Sequence, residues 1–304
     1  MRALHVALLH NPSAGSEQHS RRELISAIER AGHRVVAQFS ESAELRASLP
    51  TPGRCDVVAV AGGDGTVGRA AIALIGSNLP MTILPLGTAN NIGRTLGVRS
   101  SLHHIISWWG DHADCAFDVG VLVTGNTTTY FTEALGLGVF PEVIRKADAQ
   151  NEPPTPQASL ERDRSLFRRT AHTAVPRMYR IDIDGQDYSG HYLLVQIMNV
   201  PYLGPNLKLV SENHPGDGQL EAVLIGDTDR QALDDLVAAT GAGHEPPQYL
   251  PTHKAKQVTI VTEDSAFHLD GDLQDCARDS SGRTQLEVGV LPQALRMWMP
   301  PPDP

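Results

Sequence analysis

Cysteine is scarce in this chain: Cys55, Cys115 and Cys276 are the only three, widely spaced and with no CxxC pair. A disulfide framework and a zinc ribbon are therefore excluded, and the three read as small buried hydrophobes in a reducing compartment. No run of 18 apolar residues occurs, so no transmembrane helix is expected. The N-terminal stretch MRALHVALLHNPSAG carries one arginine and an apolar run that stops at Asn-Pro, which reads as a first β-strand rather than a signal peptide. The expected location is cytoplasmic. Positive charge is in deficit, with 25 Lys and Arg against 35 Asp and Glu and a net charge of −10. That balance disfavours a nucleic-acid partner and gives no global pull toward anionic lipid, so any membrane contact has to be local. GxxxxGK[ST] and GxGxxG are both absent, which excludes a Walker loop and a Rossmann fingerprint.

What is present is an ordinary globular composition over 304 residues, with 41% hydrophobic and 20% charged residues, enough for one large domain or two of common size. Up to about residue 110, strand and helix signals alternate. Strands are expected over 5–10, 34–39, 56–61 and 81–84. Helices are expected over 17–31, 41–49, 67–75 and 89–96, the first with Leu24, Ile25 and Ile28 on one face. This βαβα order argues a parallel sheet covered by helices. From about Asp114 strand-like runs dominate: 118–124, 128–135, 178–183, 190–200, 220–225, 257–261, 266–269 and 285–290. One helix over 229–240 interrupts them. The arginine-rich stretch ERDRSLFRRTAHTAVPR at 161–177 is helical in pattern. It is either a solvated helix face or a basic patch that meets lipid or nucleotide phosphates.

Three turns carry chemistry. The first, Gly62-Gly63-Asp64-Gly65-Thr66, follows a buried strand and opens a helix. Glycines allow close backbone approach to an anion, and a helix start presents unpaired N–H groups. Asp64 puts a negative charge inside that geometry, which points to phosphate chemistry with a cation or a transferable proton rather than to simple phosphate binding. The plainer reading is an Asp-Gly turn with Thr66 as helix N-cap. The second turn, Pro85-Leu86-Gly87-Thr88-Ala89-Asn90-Asn91, follows the next strand, with Thr88 placed to cap the helix or offer its hydroxyl to a nucleotide. The third, Asn11-Pro12-Ser13-Ala14-Gly15, follows the first strand. All three lie at strand C-termini, where open α/β sheets bind ligands.

GGDGT at 62–66, NPSAG at 11–15 and PLGTANN at 85–91 together resemble the diacylglycerol kinase catalytic domain, in particular the bacterial soluble lipid kinases, with sphingosine and ceramide kinases as more distant relatives. The likeness continues in order through Phe131–Gly138, through Pro215-Gly216-Asp217-Gly218-Gln219-Leu220 (similar to the family's DDG-x-L segment), and through Leu269-Asp270-Gly271-Asp272 (similar to its DGE). The resemblance implies an α/β N-terminal nucleotide-binding domain with a parallel sheet, over 1–112. It also implies a mostly antiparallel β-sandwich-like lipid-substrate domain over 113–304, whose last strand, about 293–299, returns to the first domain.

It further implies an ATP-dependent lipid kinase using Mg²⁺. ATP would rest on Gly62, Gly63, Asp64, Gly65, Thr66, Val67 and Gly68, with Asn11, Ser40 and Thr88 nearby. Asp217 would hold a structural Mg²⁺, helped by the backbone carbonyls of His214 and Gln219. Asp272 stands at the position of the family's proposed general base, and Asp64, Asp270 and Asp272 are the candidate catalytic acids. Such chemistry needs cations on the γ-phosphate and a carboxylate to orient or deprotonate the acceptor hydroxyl. The implied partners are a lipid substrate met transiently at the membrane surface and a second copy of the chain in a homodimer.

Three positions depart from the family pattern. Gly68-Arg69 stand where Asn-Glu is common, Asn91 stands where Asp is common, and Asp272 replaces a Glu. Arg69 is thereby a candidate contact for a nucleotide phosphate. Two other readings share the turns: an NAD kinase, which also has a GGDGT turn, and a nucleotide- or lipid-binding protein without turnover.

Overall fold

A computed structural model of the chain describes residues 2–11, 19–50, 53–151, 153, 155–211 and 214–301. The turn expected at 11–15 lies outside the described residues from Pro12 to Gly15. The chain forms two compact units, one of residues 1–117 with 293–304 and the other of residues 118–292.

In the first unit the elements run β1 (His5–His10), α1 (Arg21–Arg30), β2 (Arg34–Phe39), α2 (Ser42–Ala47), β3 (Val57–Gly62), α3 (Asp64–Leu74), β4 (Met81–Pro85), α4 (Asn91–Thr95) and α5 (Leu102–Ser107). β1 pairs in parallel with β2 and β3, and β3 pairs in parallel with β4. Every residue of β3 is buried, as is nearly all of β1 and β4. Such unbroken apolar runs are what strands of a parallel sheet need when both faces are covered. α1 starts where Ser20 and Glu23 form a capping box, Ser20 N–H donating to Glu23 Oε2 at 2.7 Å and Glu23 N–H to Ser20 Oγ at 3.3 Å. Leu24, Ala27 and Ile28 then face the sheet.

The second unit continues with β5 (Ala113–Thr124), β6 (Thr127–Phe131), β7 (Ala134–Gly138), α6 (Val139–Asp148), α7 (Pro156–Thr173), β8 (Arg177–Ile183), β9 (Gln186–Asp187), β10 (Gly190–Tyr192), β11 (Leu194–Met198), β12 (Tyr202–Leu203), β13 (Leu207–Lys208), β14 (Leu220–Ile225), α8 (Arg230–Ala242), β15 (Thr252–Ala255), β16 (Gln257–Thr262), β17 (Ala266–Leu269), β18 (Asp272–Asp275) and β19 (Thr284–Met299). The chain enters this unit within β5 and leaves it within β19, whose far end at Met297 pairs in parallel with Met81 of β4 in the first unit.

A six-stranded antiparallel sheet in the order β15-β14-β11-β7-β17-β18 forms one layer of the second unit. β8, β10, β16 and the first half of β19 form a second antiparallel layer. The central strand LVQIM of β11 is buried along its whole length, so alternation splits it between two cores. Val195 and Ile197 join Leu135, Leu137, Leu224, Ile181, Ile260 and Leu286 in the sandwich core. Leu194 and Met198 join Phe140, Phe167, Leu233 and Leu236 under the helices. The N-terminal α/β and C-terminal antiparallel sandwich architecture is the one expected from sequence. Among the described residues no helix is long and apolar enough to cross a membrane.

Three differences have physical causes. α3 begins at Asp64, three residues before the expected start, because only Gly63 at its N-cap is extended. The expected strand 128–135 is two strands, since residues 132–134 turn to donate their N–H groups to Asp270. α6 was not expected, because Pro141 and the β-branched valines of VFPEVIRKAD mask its amphipathic pattern. The arginine-rich helix, α7, is not a free basic patch. Arg168 forms a bidentate pair with Asp234 at 2.5 and 2.7 Å, Arg162 bonds Asp163 at 2.8 Å, and Arg169 bonds Ser165 at 2.7 Å.

Gln196 shares the helix-facing side of β11 and reaches across Gly136 to His268, Oε1 to Nε2 at 2.9 Å. Both side chains are fully buried, and burial pushes the His268 pKa down to about 3. The unfolded chain therefore binds a proton near the ordinary histidine value while the folded chain does not. Stability is full above about pH 6.5 and falls as the pH drops toward the folded value. His10 and His33, also lowered by burial, act in the same direction. Melting temperature is expected to fall between about pH 6.5 and 5, above the ordinary carboxylate range, and His268→Gln to flatten that slope. An unchanged slope in His268→Gln would assign the acid sensitivity to other groups.

Candidate active site

In the first unit two glycine turns meet at the C-terminal edge of the parallel sheet. Gly63 and Gly87 touch backbone to backbone: a Cβ on Gly87 would lie 2.4 Å from Gly63 Cα, and one on Gly63 would lie 3.1 Å from Gly87 Cα. Leu86 N–H donates to Gly62 O at 3.0 Å and locks the register of the pair. Asn90, at φ 52°, closes the second turn with its own side chain: its Nδ2 donates to Gly87 O at 2.6 Å and its Oδ1 accepts from Gly87 N–H at 2.9 Å.

The Asp64 carboxylate braces the same turns, accepting Ile92 N–H at 3.1 Å at the start of α4. Burial raises its pKa, and the backbone donors of Ile92, Asn91 and Asn90 oppose that rise. Asp64 thus holds the second turn against the first as well as standing at the phosphate-type turn. Neither threonine caps a helix: Thr66 lies buried within α3, whose N-cap is Gly63, and Thr88 is exposed beyond the cap at Asn90. Val67 and Gly68 are also inside α3, with the Val67 side chain in the core.

A cavity of about 240 Å³ opens beside the first of these turns, at Thr66, and is lined also by Asn11, Ser40, Glu41 and Arg69. Ser40 Oγ is fixed by Arg21 at 2.9 Å, and the Ser40 N–H donates to Glu44 Oε2 at 2.8 Å. Buried Thr66 Oγ1 has no hydrogen-bond partner among the described residues. The Arg69 guanidinium reaches back over Gly65, its Nη1 3.4 Å from where a Cβ would stand. These side chains suit an anionic, hydroxyl-bearing ligand. Gly87→Ala is expected to force the two turns apart at a cost of about 1–3 kcal/mol. Any reaction housed at these turns is expected to slow about 100-fold with such a displacement. Wild-type turnover in Gly87→Ala would show that the contact between the turns does not shape the site.

In the second unit the Asp270-Gly271-Asp272 segment is a two-residue hairpin. Leu269 pairs with Asp272, and Asp270 and Gly271 take φ values of 49° and 86°. Two positive-φ residues are the demand of a type I′ turn, which Asp-Gly meets. The hairpin separates its two acids. Asp270 Oδ2 accepts Thr132 N–H at 2.7 Å and Thr132 Oγ1–H at 2.9 Å; Oδ1 accepts Glu133 N–H at 2.7 Å and Ala134 N–H at 3.0 Å. Burial pushes this carboxyl up, and the four donors pull it back. Its lone pairs are spent on the 132–134 backbone, so Asp270 is a strut. Asp272 is exposed at the start of β18, and its carboxylate has no partner among the described residues.

The 214–219 loop is held from beneath by buried Asp118, whose N–H donates to Pro215 O at 2.5 Å and whose Oδ2 accepts Gly218 N–H at 2.7 Å. Asn199 Nδ2 in turn donates to the carbonyls of Asp118 and Thr132, both at 2.9 Å, tying this loop to the Asp270 strut. No sequence signal singles out Asp118 or Asn199, and Thr132 is marked only as part of the 131–138 likeness.

The magnesium expected at this loop does not fit the residues present. Asp217 Oδ1 accepts Gln219 N–H at 3.0 Å and Oδ2 accepts Lys254 Nζ at 2.7 Å, while the His214 carbonyl accepts Asp217 N–H at 3.0 Å. Among the described residues no three His, Cys, Asp or Glu side chains are grouped to hold a metal ion. Mg²⁺ demands near-octahedral oxygen ligands, and here the Asp217 carboxylate is already neutralised by Lys254 while Asp118 Oδ2 is spent on the Gly218 N–H.

Comparison with known proteins agrees with this geometry. Residues 5–122 match the diacylglycerol kinase catalytic domain, and residues 155–299 match the YegS C-terminal NAD kinase beta sandwich-like domain. The chain is 25% identical over 306 residues to a Pectobacterium atrosepticum protein named "Probable lipid kinase YegS-like", covering 97% of this chain and 96% of that one. It is 23% identical over 278 residues to a Staphylococcus aureus diacylglycerol kinase, covering 87% and 85%. A crystal structure of a diacylglycerol kinase from Bacillus anthracis superposes with a TM-score of 0.69 at 22% identity, over 98% of this chain and 97% of that one, a likeness of fold. The chain thus carries a diacylglycerol kinase catalytic domain followed by a YegS C-terminal domain, the arrangement of relatives named as lipid kinases, which are phosphotransferases acting on an alcohol group.

Proposed function

We propose that this protein is an ATP-dependent lipid kinase that transfers the γ-phosphoryl group of ATP to the hydroxyl of a diacylglycerol-like lipid. The observation that carries the reading is the Gly63–Gly87 contact, which sets two glycine turns side by side, the first of them bordering a cavity where the Arg69 guanidinium has no partner among the described residues. The triphosphate lies along Gly62–Thr66, where glycine permits close approach and the N-terminal N–H groups of α3 face the anion. Asn11, Ser40 and Thr66 supply hydroxyl and amide contacts. Arg69 supplies positive charge to the phosphates. The Mg²⁺ that accompanies ATP is part of that substrate. Asp272 accepts the proton of the attacking lipid hydroxyl as its oxygen bonds to the γ-phosphorus and ADP leaves. Asp270 is a positioning residue that holds the 132–134 backbone and the hairpin bearing Asp272.

A second reading, NAD kinase, is favoured by the GGDGT turn and by the NAD kinase-like description of the matched C-terminal domain. Coupled ADP release, measured with detergent-dispersed diacylglycerol or with NAD as acceptor, separates the two. Stimulation by the lipid and not by NAD is expected; stimulation by NAD alone would replace the lipid-kinase reading.

A further inference from the structure

The 214–219 loop is complete without a metal. Its turn is closed by Asp217 N–H to His214 O, and Gly218 takes the left-handed conformation at φ 74°. Its two ends are tied to Asp118, and Asp217 Oδ1 is consumed by the Gln219 N–H. One strong acceptor is left, Asp217 Oδ2, and it meets Lys254 Nζ at 2.7 Å.

That meeting is built by the sheet. Leu220 starts β14 directly after the loop and pairs with Ala255 of β15, and Glu221 pairs with Lys254. The antiparallel register therefore sets the lysine stem beside the loop that precedes β14. Pairing with Asp217 holds the Lys254 ammonium charged. A divalent ion would have to displace that ammonium, and among the described residues no three acidic or imidazole side chains are grouped there to receive it. A hard cation that retains most of its waters gains little from such a donor set.

We propose that the ε-ammonium of Lys254 is the resident cation of the Asp217 loop, a covalently tethered replacement for a bound metal ion. The loop then stays ordered in the absence of divalent metal, and the only metal the protein requires is the one carried by its nucleotide. This inference concerns the chain alone and stands independently of the lipid-kinase reading, because its test uses neither nucleotide nor lipid.

The test is thermal unfolding of the full chain, without ATP, in EDTA and in about 10 mM MgCl₂, a concentration above the weak end of hard-cation sites. Wild type, Lys254→Met, Asp217→Asn and the double variant are compared. The wild-type melting temperature is expected to be the same in both buffers. Each single variant is expected to melt about 1–3 °C lower, the size of a partly exposed ion pair in a domain of this length. The double variant is expected to be no worse than the poorer single one, since both changes remove the same pair. Amide hydrogen exchange over 214–219 should quicken several-fold in Lys254→Met while the rest of the chain is unchanged. Two results would overturn the proposal. One is a magnesium-dependent rise in the wild-type melting temperature that Asp217→Asn abolishes, which puts a metal on the carboxylate. The other is additive or absent effects of the two substitutions, which leaves Lys254 a solvated surface charge.

Discussion

Asp272→Asn, at the general base proposed for this chain, is expected to lower kcat by about 10²–10⁴-fold, the usual contribution of such a group, and to leave the melting temperature where it is. The asymmetry follows from the hairpin. The Asp272 side chain is exposed and no described residue leans on it, so its loss removes nothing that the fold uses. Its carboxylate is also the acid of the hairpin whose lone pairs remain free to take a proton. The KM for ATP is expected to stay near the wild-type value, because none of the contacts assigned to the nucleotide involves β18. Steady-state kinetics with lipid acceptor, alongside a thermal melt, check both halves. Unchanged kcat would remove Asp272 from the chemistry; a lower melting temperature would show that it carries structure instead.

Asp270→Asn is expected to do the reverse. The carboxylate has four donors on its two oxygens, three of them backbone N–H groups. An amide in its place turns one acceptor into a donor that faces donors. Two buried hydrogen bonds then become unmet groups at about 1–2 kcal/mol each, or about 2–4 kcal/mol in all. For a unit of this size that corresponds to a fall of roughly 5–15 °C in melting temperature. Activity falls as well, through the hairpin that Asp270 positions. The discriminating readout is the conservative variant Thr132→Val, which removes one of the four bonds and is expected to cost about 1 kcal/mol. That variant should also lose less activity than Asp270→Asn. Equal melting temperatures for Asp270→Asn and wild type would refute the strut.

These two acids also show where sequence stops being informative. Asp-Gly-Asp is legible as a turn, and the family likeness marks it as functional, but the sequence does not say which acid is spent. That depends on residues 132–134, which lie 136–138 positions away along the chain. The Lys254–Asp217 pair, 37 positions apart, depends in the same way on the register of β14 and β15. Apolar periodicity, by contrast, is local. β14 and β17 fall on the expected boundaries to the residue, and the buried parallel strands β1 to β4 are found within a residue or so. Local signals failed where tertiary contacts overrode them. At 132–134 the strand is broken to feed Asp270, and at Asp64 the helix absorbs most of the glycine motif. The buried Gln196–His268 pair was invisible because neither residue stands in a polar pattern.

The most direct measurement follows the phosphoryl group itself. The purified protein is incubated with ATP labelled in the γ-phosphate, Mg²⁺ and detergent-dispersed diacylglycerol, monoacylglycerol, phosphatidylglycerol, sphingosine and ceramide, with Asp272→Asn beside it, and the lipids are separated and counted. A lipid kinase of the kind proposed puts label into a diacylglycerol-like lipid and loses it in Asp272→Asn. Label in no lipid, from a protein that still binds ATP, would contradict it and leave a nucleotide-binding protein without lipid turnover.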